Sequence, residues 1–317
     1  MKFFRLFIAA LIALVSVAAS AATFPSQPIR IICTSAAGSP LDAMARAAGK
    51  ILAEELKVPV VVENRVGGTG TVGMALAANA PADGYTLVTA TGSTSFLLAD
   101  PAATLKTSDF LFFRGLQAEP SSMAVAANSP YKNLKDLVAA LKADPSKVTI
   151  GGFAAAGFHQ YVLYRLQQKA GFEAVWVPFN GGNQAELAVL GGHVDAVGIT
   201  PSSALGQIQK GEMRLLGISS PTRDKNFPDV PTYKEQGFDV VEEIWRGLLV
   251  KRGTPPEVLA TLNAALDKVE ASAEWQSFMK ANMQVPVGLG SAQMQKHVEA
   301  EVASRREFLS RIGTVKK

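Results

Sequence analysis

The residue types that most often catalyse reactions or bind metals are sparse in this chain. It contains a single cysteine, Cys33, and three histidines, His159, His193 and His297. No two histidines stand four residues apart, and one cysteine cannot complete a zinc site with them. No G-x-S-x-G segment is present to expose a nucleophilic serine. The sequence therefore predicts no metal site and no catalytic residue. His159, at the start of a helical segment, either orients a loop or has a structural role, and we favour the second.

The strongest enzyme-like motif is a glycine-rich segment, GGTGTVG, at residues 67–73. Gly68, Gly70 and Gly73 fit G-x-G-x-x-G and lie between a predicted strand and a predicted helix, as a dinucleotide fingerprint does. However, the next strand lacks the Asp or Glu that holds the ribose about 20 residues further on. A glycine turn that leads into a helix packed close to the sheet is the better interpretation. We expect no cofactor.

Four loops of small and polar residues are better candidates for binding. They occupy residues 34–40, 91–95, 151–158 and 179–183, each after a predicted strand and before a helix. Ligands of open α/β sheets bind at the carboxyl ends of strands, and N–H groups at helix N-termini attract carboxylates. The loops together predict a site that holds an organic anion through backbone amides. The alternative is that glycine and alanine only make tight connections there.

Alternating strands and helices must position these loops. Their two series predict an α/β protein of two lobes, each a mainly parallel sheet flanked by helices, with crossing strands that form a hinge. The predicted strands are 28–33, 59–63, 86–90, 123–127, 148–151, 174–178, 196–199, 214–219 and 247–250. The predicted helices are 41–56, one that begins in 74–80, 133–143, 157–170, 183–190, 256–270, 273–281 and 291–312. We expect the C-terminal helices to pack on the first lobe.

Residues 1–22 have the pattern of a secretory signal peptide. Lys2 and Arg5 precede an apolar run at 6–19, and small residues suited to cleavage follow at Ala21 and Ala22. A membrane anchor is the alternative, but the run is shorter than the roughly 20 residues that a span requires. Cleavage would lower the formal net charge from +4 to +2, and no basic stripe remains to bind nucleic acid. We expect an exported protein with no nucleic-acid partner.

Four segments in order resemble one family. They are PSQPIRIICTSAAGSPLDAMAR from Pro25, VVVENRVGGTGTVG followed by ADGYTL, VPFNGGNQAELAVLGGHVDA from Val177, and PDVPTYKEQGF from Pro228. Together they are similar to the Bug family, the TctC-like periplasmic receptors of tripartite tricarboxylate transporters. The resemblance covers essentially the whole chain after the signal peptide and places Asp42 at the usual acidic position of the opening loop.

The resemblance implies a periplasmic binding protein of the Venus-flytrap type. Lobe 1 would comprise residues 23–124 plus 248–317, and lobe 2 residues 125–247. The implied role is capture of a small organic acid in the periplasm and its delivery to inner-membrane transporter subunits, by a monomer without enzymatic activity.

The resemblance also implies ligand-binding residues in both lobes. The first-lobe residues are Ser35, Gly38, Ser39, Asp42, Thr91 and Ser93. The second-lobe residues are Ala155, Ala156, Gly157, Phe158, Asn180, Gly181, Asn183 and Thr200.

Two departures from the family pattern bear on the ligand. The first loop has Gly38-Ser39-Pro40-Leu41 in place of a glycine run and a threonine, and GGFAAAGF precedes His159 in place of a segment rich in Ser, Gly and Thr. Fewer hydroxyl groups would leave a polyhydroxylated ligand unpaired, at about 1–3 kcal/mol for each group. We therefore expect a less polar acid, aromatic or longer aliphatic. Two other roles stay open: a solute sensor for a membrane signalling protein, and a secreted enzyme, for which we find no base or nucleophile near Asp42.

Overall fold

The computed structural model describes residues 24–179 and 181–313. The predicted signal peptide and Asn180 lie outside the described residues. Within these ranges the strands are β1 (Ile29–Cys33), β2 (Val60–Asn64), β3 (Thr86–Thr91), β4 (Phe110–Pro120), β5 (Ser122–Ala126), β6 (Thr149–Phe153), β7 (Val175–Phe179), β8 (Ala196–Ile199), β9 (Met213–Ile218) and β10 (Glu243–Lys251). The α-helices are α1 (Pro40–Leu56), α2 (Thr71–Asn79), α3 (Thr94–Ala99), α4 (Leu134–Ala143), α5 (Phe158–Ala170), α6 (Gly182–Leu190), α7 (Leu205–Gln209), α8 (Pro256–Ala271), α9 (Ala273–Ala281) and α10 (Ser291–Arg311).

The strands form two five-stranded sheets with matching topology. The first has the order β2-β1-β3-β10-β4, and the second β7-β6-β8-β5-β9. In each, a βαβαβ unit supplies three parallel strands, and the fourth strand in the order runs antiparallel to both of its neighbours. That fourth strand, β10 or β5, follows a crossing from the other sheet. The predicted two-lobe α/β fold is confirmed, and the crossing strands make each sheet mixed.

Helix α1 illustrates how local sequence builds the first lobe. Pro40 stands in its first turn, and buried Leu41, Met44, Ala48 and Leu52 recur at helical spacing. This face packs with β1 and β2 and with α8 and α9. Helix α10 packs on α3 and β4, so the C-terminal helices contact the first sheet and its helices, where the sequence predicts that they pack.

The glycine-rich segment is a turn, as the sequence analysis favours. Gly67, Gly68 and Gly70 have positive φ values, a conformation that glycine adopts readily. A Cβ at Gly73 would lie 2.9 Å from Thr34 Cγ2 and 3.1 Å from the Arg65 carbonyl oxygen. Glycine at this position therefore lets α2 approach the sheet closely.

The first crossing between the sheets consists of a single residue, Ser121, between β4 and β5. The second runs from Ser219 to Glu242, and the two crossings are bonded together. Ser121 N–H donates to Ser219 Oγ at 2.9 Å, and Ser219 N–H donates to the Ser121 carbonyl at 2.8 Å. The sheets thus divide at Ser121 and just before Glu243. The lobe limits at 124/125 and 247/248 remain a prediction, a few residues from these divisions.

Candidate functional site

The first-lobe loop after β1 is held by its own polar side chains. Ser39 is the N-cap of α1, where its Oγ accepts a hydrogen bond from Asp42 N–H at 3.2 Å. Asn64 Nδ2 donates to the Ser35 carbonyl at 2.9 Å. Gly38, at φ +78°, makes the tight turn that precedes the cap. The predicted site residues Ser35, Gly38 and Ser39 therefore lie together in one ordered loop.

Asp42 is the buried anchor of that loop. Its Oδ2 accepts from Gly38 N–H at 2.9 Å and from Arg46 Nε at 3.0 Å, and its Oδ1 accepts from Asn64 Nδ2 at 2.8 Å. Burial opposes ionisation, but the hydrogen bonds from Arg46, Gly38 and Asn64 outweigh it and hold the pKa of Asp42 below its usual value. Since both carboxylate oxygens already have protein partners, Asp42 shapes the loop.

Thr91 and Ser93 form a second ordered turn in the first lobe. Thr91 N–H donates to Thr94 Oγ1, and Ser93 N–H donates to Thr91 Oγ1, both at 3.0 Å. Gly92 N–H donates to the Trp245 carbonyl at 3.0 Å, which ties the turn to β10. The half-buried side chains of Thr91 and Ser93 lie at the carboxyl end of β3.

The second-lobe loop after β6 is built from strained backbone. Ala154 and Ala156 have φ values of 59° and 57°, in the left-handed region that costs an alanine about 1–2 kcal/mol. Trp176 Nε1 donates to the Ala154 carbonyl at 2.9 Å, and Ala156 N–H donates to Gln160 Oε1 at 2.6 Å. These bonds hold a conformation that the residue types disfavour. Such strain is typical of functional loops.

Helix α5 begins at this loop without a side-chain cap. Its N-cap is Gly157, which has no side chain to cap the first turn, and Gln160 Oε1 accepts a hydrogen bond from Ala156 N–H just before the cap. Phe158 has its ring buried in the core, so at this position the backbone N–H is the group left to contact a ligand. Uncapped N–H groups together with the helix dipole make this end suited to an anion.

His159 links α5 to the first crossing. Its Nδ1 lies 2.8 Å from Ser121 Oγ, and burial together with the charge of Arg246 lowers its pKa from 6.5 to about 3. His159 is therefore neutral at physiological pH. The structural role favoured from the sequence is consistent with this position, since His159 fixes the helix start to the crossing.

A buried ionic cluster lies beside that histidine. Arg246 Nη1 donates at 2.9 Å to Glu119 Oε2 and at 2.9 Å to Gln284 Oε1. Ser202 N–H of the second lobe donates to Glu119 Oε1 at 2.7 Å. Sequence reasoning missed this cluster. The sequence signal that could have revealed it is a charged residue inside a largely apolar segment: Glu119 in LQAEP and Arg246 in IWRGLLV.

The remaining second-lobe candidates are spread along the sheet edge. Gly181 is the N-cap of α6 after the edge strand β7, and Asn183 lies in the first turn of that helix. Thr200 follows the central strand β8, and its carbonyl accepts from Ser203 N–H at 3.1 Å. Thr200 is buried. Thr200 thus lies at the end of β8, on one side of β6, and residues 181–183 lie after the end of β7, on the other side of β6.

A cavity of about 350 Å³ opens between the lobes. Ala155 and Ala156 contribute the second-lobe side, next to the start of α5. The residues that line it, most of them not foreseen from the sequence, are Gly68, Thr71, Phe96, Leu97, Asp100, Ala102, Ala103, Thr104, Leu105, Ala155, Ala156 and Leu309. Of the predicted site residues, Ala155 and Ala156 are the two that meet there.

The described ranges offer neither a metal cluster nor a membrane span. Residues 24–179 and 181–313 contain no group of three or more His, Cys, Asp or Glu side chains arranged to hold a metal ion. In the same part of the chain, no helix combines the length and the apolar character needed to cross a membrane.

Two α/β lobes joined by crossing strands, with a cavity between them, are the architecture of the periplasmic-binding-protein fold. Residues 44–314 match the family model described as the tripartite tricarboxylate transporter family receptor, TctC. The chain belongs to this family.

Similar sequences lie in Bordetella. The chain is 32% identical over 296 residues to a UPF0065 protein of Bordetella bronchiseptica, which covers 89% of this chain and 83% of that protein. It is 31% identical over 255 residues to protein BugT of Bordetella pertussis, with 78% of each chain covered. The resemblance to Bug proteins noted from the sequence is confirmed.

Solved structures share the fold. A periplasmic transporter is 28% identical, with a TM-score of 0.83 and coverage of 90% of this chain and 97% of that one. MatC from Rhodopseudomonas palustris, solved with bound malate, is 23% identical, with a TM-score of 0.81 over 90% of this chain and 99% of MatC. Rpa4515 from R. palustris, solved with adipate, is 23% identical, with a TM-score of 0.83 over 92% and 98% of the two chains. The last two comparisons establish the common fold.

Proposed function

We propose that this chain captures a small organic acid in the cleft between its lobes, in the periplasm, and delivers it to a tripartite tricarboxylate-type permease of the inner membrane. The observation that carries the proposal is the uncapped N-terminus of α5 beside a cavity lined by both lobes. Malate in MatC and adipate in Rpa4515 support a carboxylate as the ligand class, since both of those ligands are carboxylates.

The carboxylate would bind to the backbone N–H groups of Ala155, Gly157 and Phe158, since Ala156 N–H already donates to Gln160 Oε1. The first lobe would cover it with the loop that contains Ser35, Gly38 and Ser39 and with the turn at Thr91 and Ser93. Asp42 would contribute by holding its loop. Gly181, Asn183 and Thr200 would complete the second-lobe edge, and Asn180 is a further candidate contact from the sequence.

The ligand would be a weakly polar acid. The loop that starts α5 offers Ala154, Ala155 and Ala156, so it has no hydroxyl group for a hydroxylated ligand to pair with. A buried ligand hydroxyl without a partner costs about 1–3 kcal/mol. Ligand binding would also stabilise a closed arrangement of the two lobes, residues 23–124 plus 248–317 and residues 125–247, in a monomer.

A thermal-shift series on the chain from residue 23 tests the proposal. The panel contains hexanoate, benzoate, adipate, malate and citrate, with glucose as the uncharged control. A ligand at 100 times its Kd adds about 2.7 kcal/mol to the free energy of unfolding, so a rise in Tm is expected with acids and not with glucose. Absence of a shift with every acid contradicts the receptor function. Tight binding of citrate without benzoate contradicts the weakly polar ligand.

A further inference from the structure

We infer that the interlobe cavity accepts the uncharged apolar end of a monocarboxylic acid, and that Asp100 in its wall selects against a second carboxylate. The inference rests on the proposed function, because it assumes that the carboxylate of the ligand binds at the start of α5. To that function it adds a limit on the ligand, which would carry a single carboxylate.

The cavity wall is mainly apolar. Phe96, Leu97, Leu105 and Leu309 line it together with several alanines, and its volume of about 350 Å³ is in the range of small-molecule sites. Buried apolar side chains give an alkyl or aromatic group contact but offer a carboxylate no hydrogen bond. The wall therefore matches a hydrocarbon tail.

The ring of Phe96 is fixed in place by its neighbours. Its centroid lies 5.7 Å from that of Tyr161 in the second lobe and 5.8 Å from that of Phe308 in α10, both edge to face. The Arg305 guanidinium lies over the rings of Phe96 and Tyr161, with its Cζ 5.1 Å and 3.7 Å from their respective centroids. The cavity wall is thus already assembled across both lobes.

Charge in the wall has one sign. Among the described residues that line the cavity, Asp100 is the single ionisable side chain, and its Oδ1 accepts from Ala102 N–H at 2.8 Å. Lys106 comes directly after the lining residue Leu105 but does not itself line the cavity. A second ligand carboxylate would therefore face a carboxylate without a lysine, arginine or histidine in this lining.

The cation that packs against Phe96, Arg305, is already neutralised. Arg305 lies 3.3 Å from Glu301 Oε1 and 3.6 Å from Glu242 Oε2. It is almost completely buried behind Phe96, so it cannot present its charge to the cavity without displacing the ring. Attraction from Arg305 does not compensate for repulsion by Asp100.

Ala155 and Ala156 set the orientation of the ligand. They line the cavity and also immediately precede the uncapped start of α5. An acid bound there by its carboxylate has its other end directed into the cavity. The length from a carboxylate to the terminal group of hexanoate suits this arrangement, whereas adipate of the same carbon number brings a second charge to Asp100.

Calorimetric titration of the chain from residue 23 with hexanoate and adipate tests the inference. We expect hexanoate to bind at least tenfold more tightly than adipate. Asp100→Asn should tighten adipate at least fivefold and change hexanoate less than twofold, and Asp100→Lys should reverse the preference. Asp229→Asn, which removes an exposed carboxylate of the second lobe, is the matched control and should change neither affinity.

A tail-specific variant separates the cavity from the carboxylate site. Leu97→Ser should weaken hexanoate about fivefold and leave acetate unchanged, because acetate has no tail to reach the cavity. If adipate and hexanoate bind equally tightly, and substitution of Asp100 changes neither affinity, the inference is overturned while the receptor function stands. If no acid binds at all, the proposed function itself fails.

Discussion

The loops after β1 and β6 occupy the same place in the two sheets but are built in opposite ways. In the first lobe, Ser39 caps α1 and Asp42 accepts three hydrogen bonds from its neighbours. In the second lobe, α5 has a glycine N-cap without a side-chain bond, and two alanines adopt left-handed backbone. The first helix start is closed by its own side chains, whereas the N-cap of α5 provides no side chain to do so. Under the proposed function, the first lobe would support the site and the second would bind the anion.

The largest effect should follow from removing the anchor of the first loop. Asp42→Ala leaves Gly38 N–H without its acceptor and removes one of the two acceptors of Asn64 Nδ2, and we expect the free energy of unfolding to fall by about 2–3 kcal/mol. Urea denaturation measures it. Glu54→Ala, an exposed change on the same helix, is the control. A loss below 0.5 kcal/mol would mean that the first loop does not depend on its carboxylate.

Giving the second loop a cap should remove its binding capacity. Gly157→Asp places a carboxylate at the N-cap of α5, where it competes with the ligand, and acid affinity should fall at least tenfold. Gly157→Ala adds the same Cβ, 3.1 Å from the Phe153 carbonyl oxygen, without the charge, and should change affinity less than threefold. Calorimetry compares the two. Equal losses would point to crowding by the Cβ and against anion binding at this helix.

Relieving the strain of the second loop should stabilise the protein modestly. Ala156→Gly removes the cost of a left-handed alanine, and the free energy of unfolding should rise by up to about 1 kcal/mol. Ala155→Gly is the matched control, because Ala155 is outside the left-handed region and glycine there should destabilise slightly. Thermal and urea denaturation report both values. The same sign for both variants would argue against strain at Ala156.

The smallest effect concerns pH. The pKa of Asp42 is below its ordinary value of 3.8 in the folded chain, so its stabilising contribution is complete above that value and is lost as pH falls through the lower folded pKa. Urea midpoints of the wild type and Asp42→Asn should therefore converge in the acidic range below 3.8. The change is small because Arg46 is 52% exposed and solvent screens the pair. A constant difference down to pH 2 would contradict the lowered pKa.

Local patterns predicted most elements of the fold. The βα alternation located three strands of each lobe because each is a short apolar run bounded by turn residues. Strand β4 was not predicted, although it is the longest, because FLFFRGLQAEP is buried along most of its length and shows no alternation. Helix α3 was not predicted either, since six residues give too little periodicity.

The site was predictable only in part. The loops could be located because strand ends and helix starts have local signals. The cavity wall could not, because Phe96, Leu105 and Leu309 are ordinary apolar residues that become neighbours through the packing of α10 on α3. The pair Glu119 and Arg246 joins residues 127 positions apart, which no local pattern reveals.

The position of β10 in the first sheet has a consequence for the order in which the chain folds. All five strands of the second sheet lie within residues 122–218, so that lobe can complete its sheet from one continuous segment. The first sheet stays divided, with β3 and β4 unjoined, until residues 243–251 arrive to pair with both. We therefore expect the middle of the chain to become protease-resistant before its beginning does.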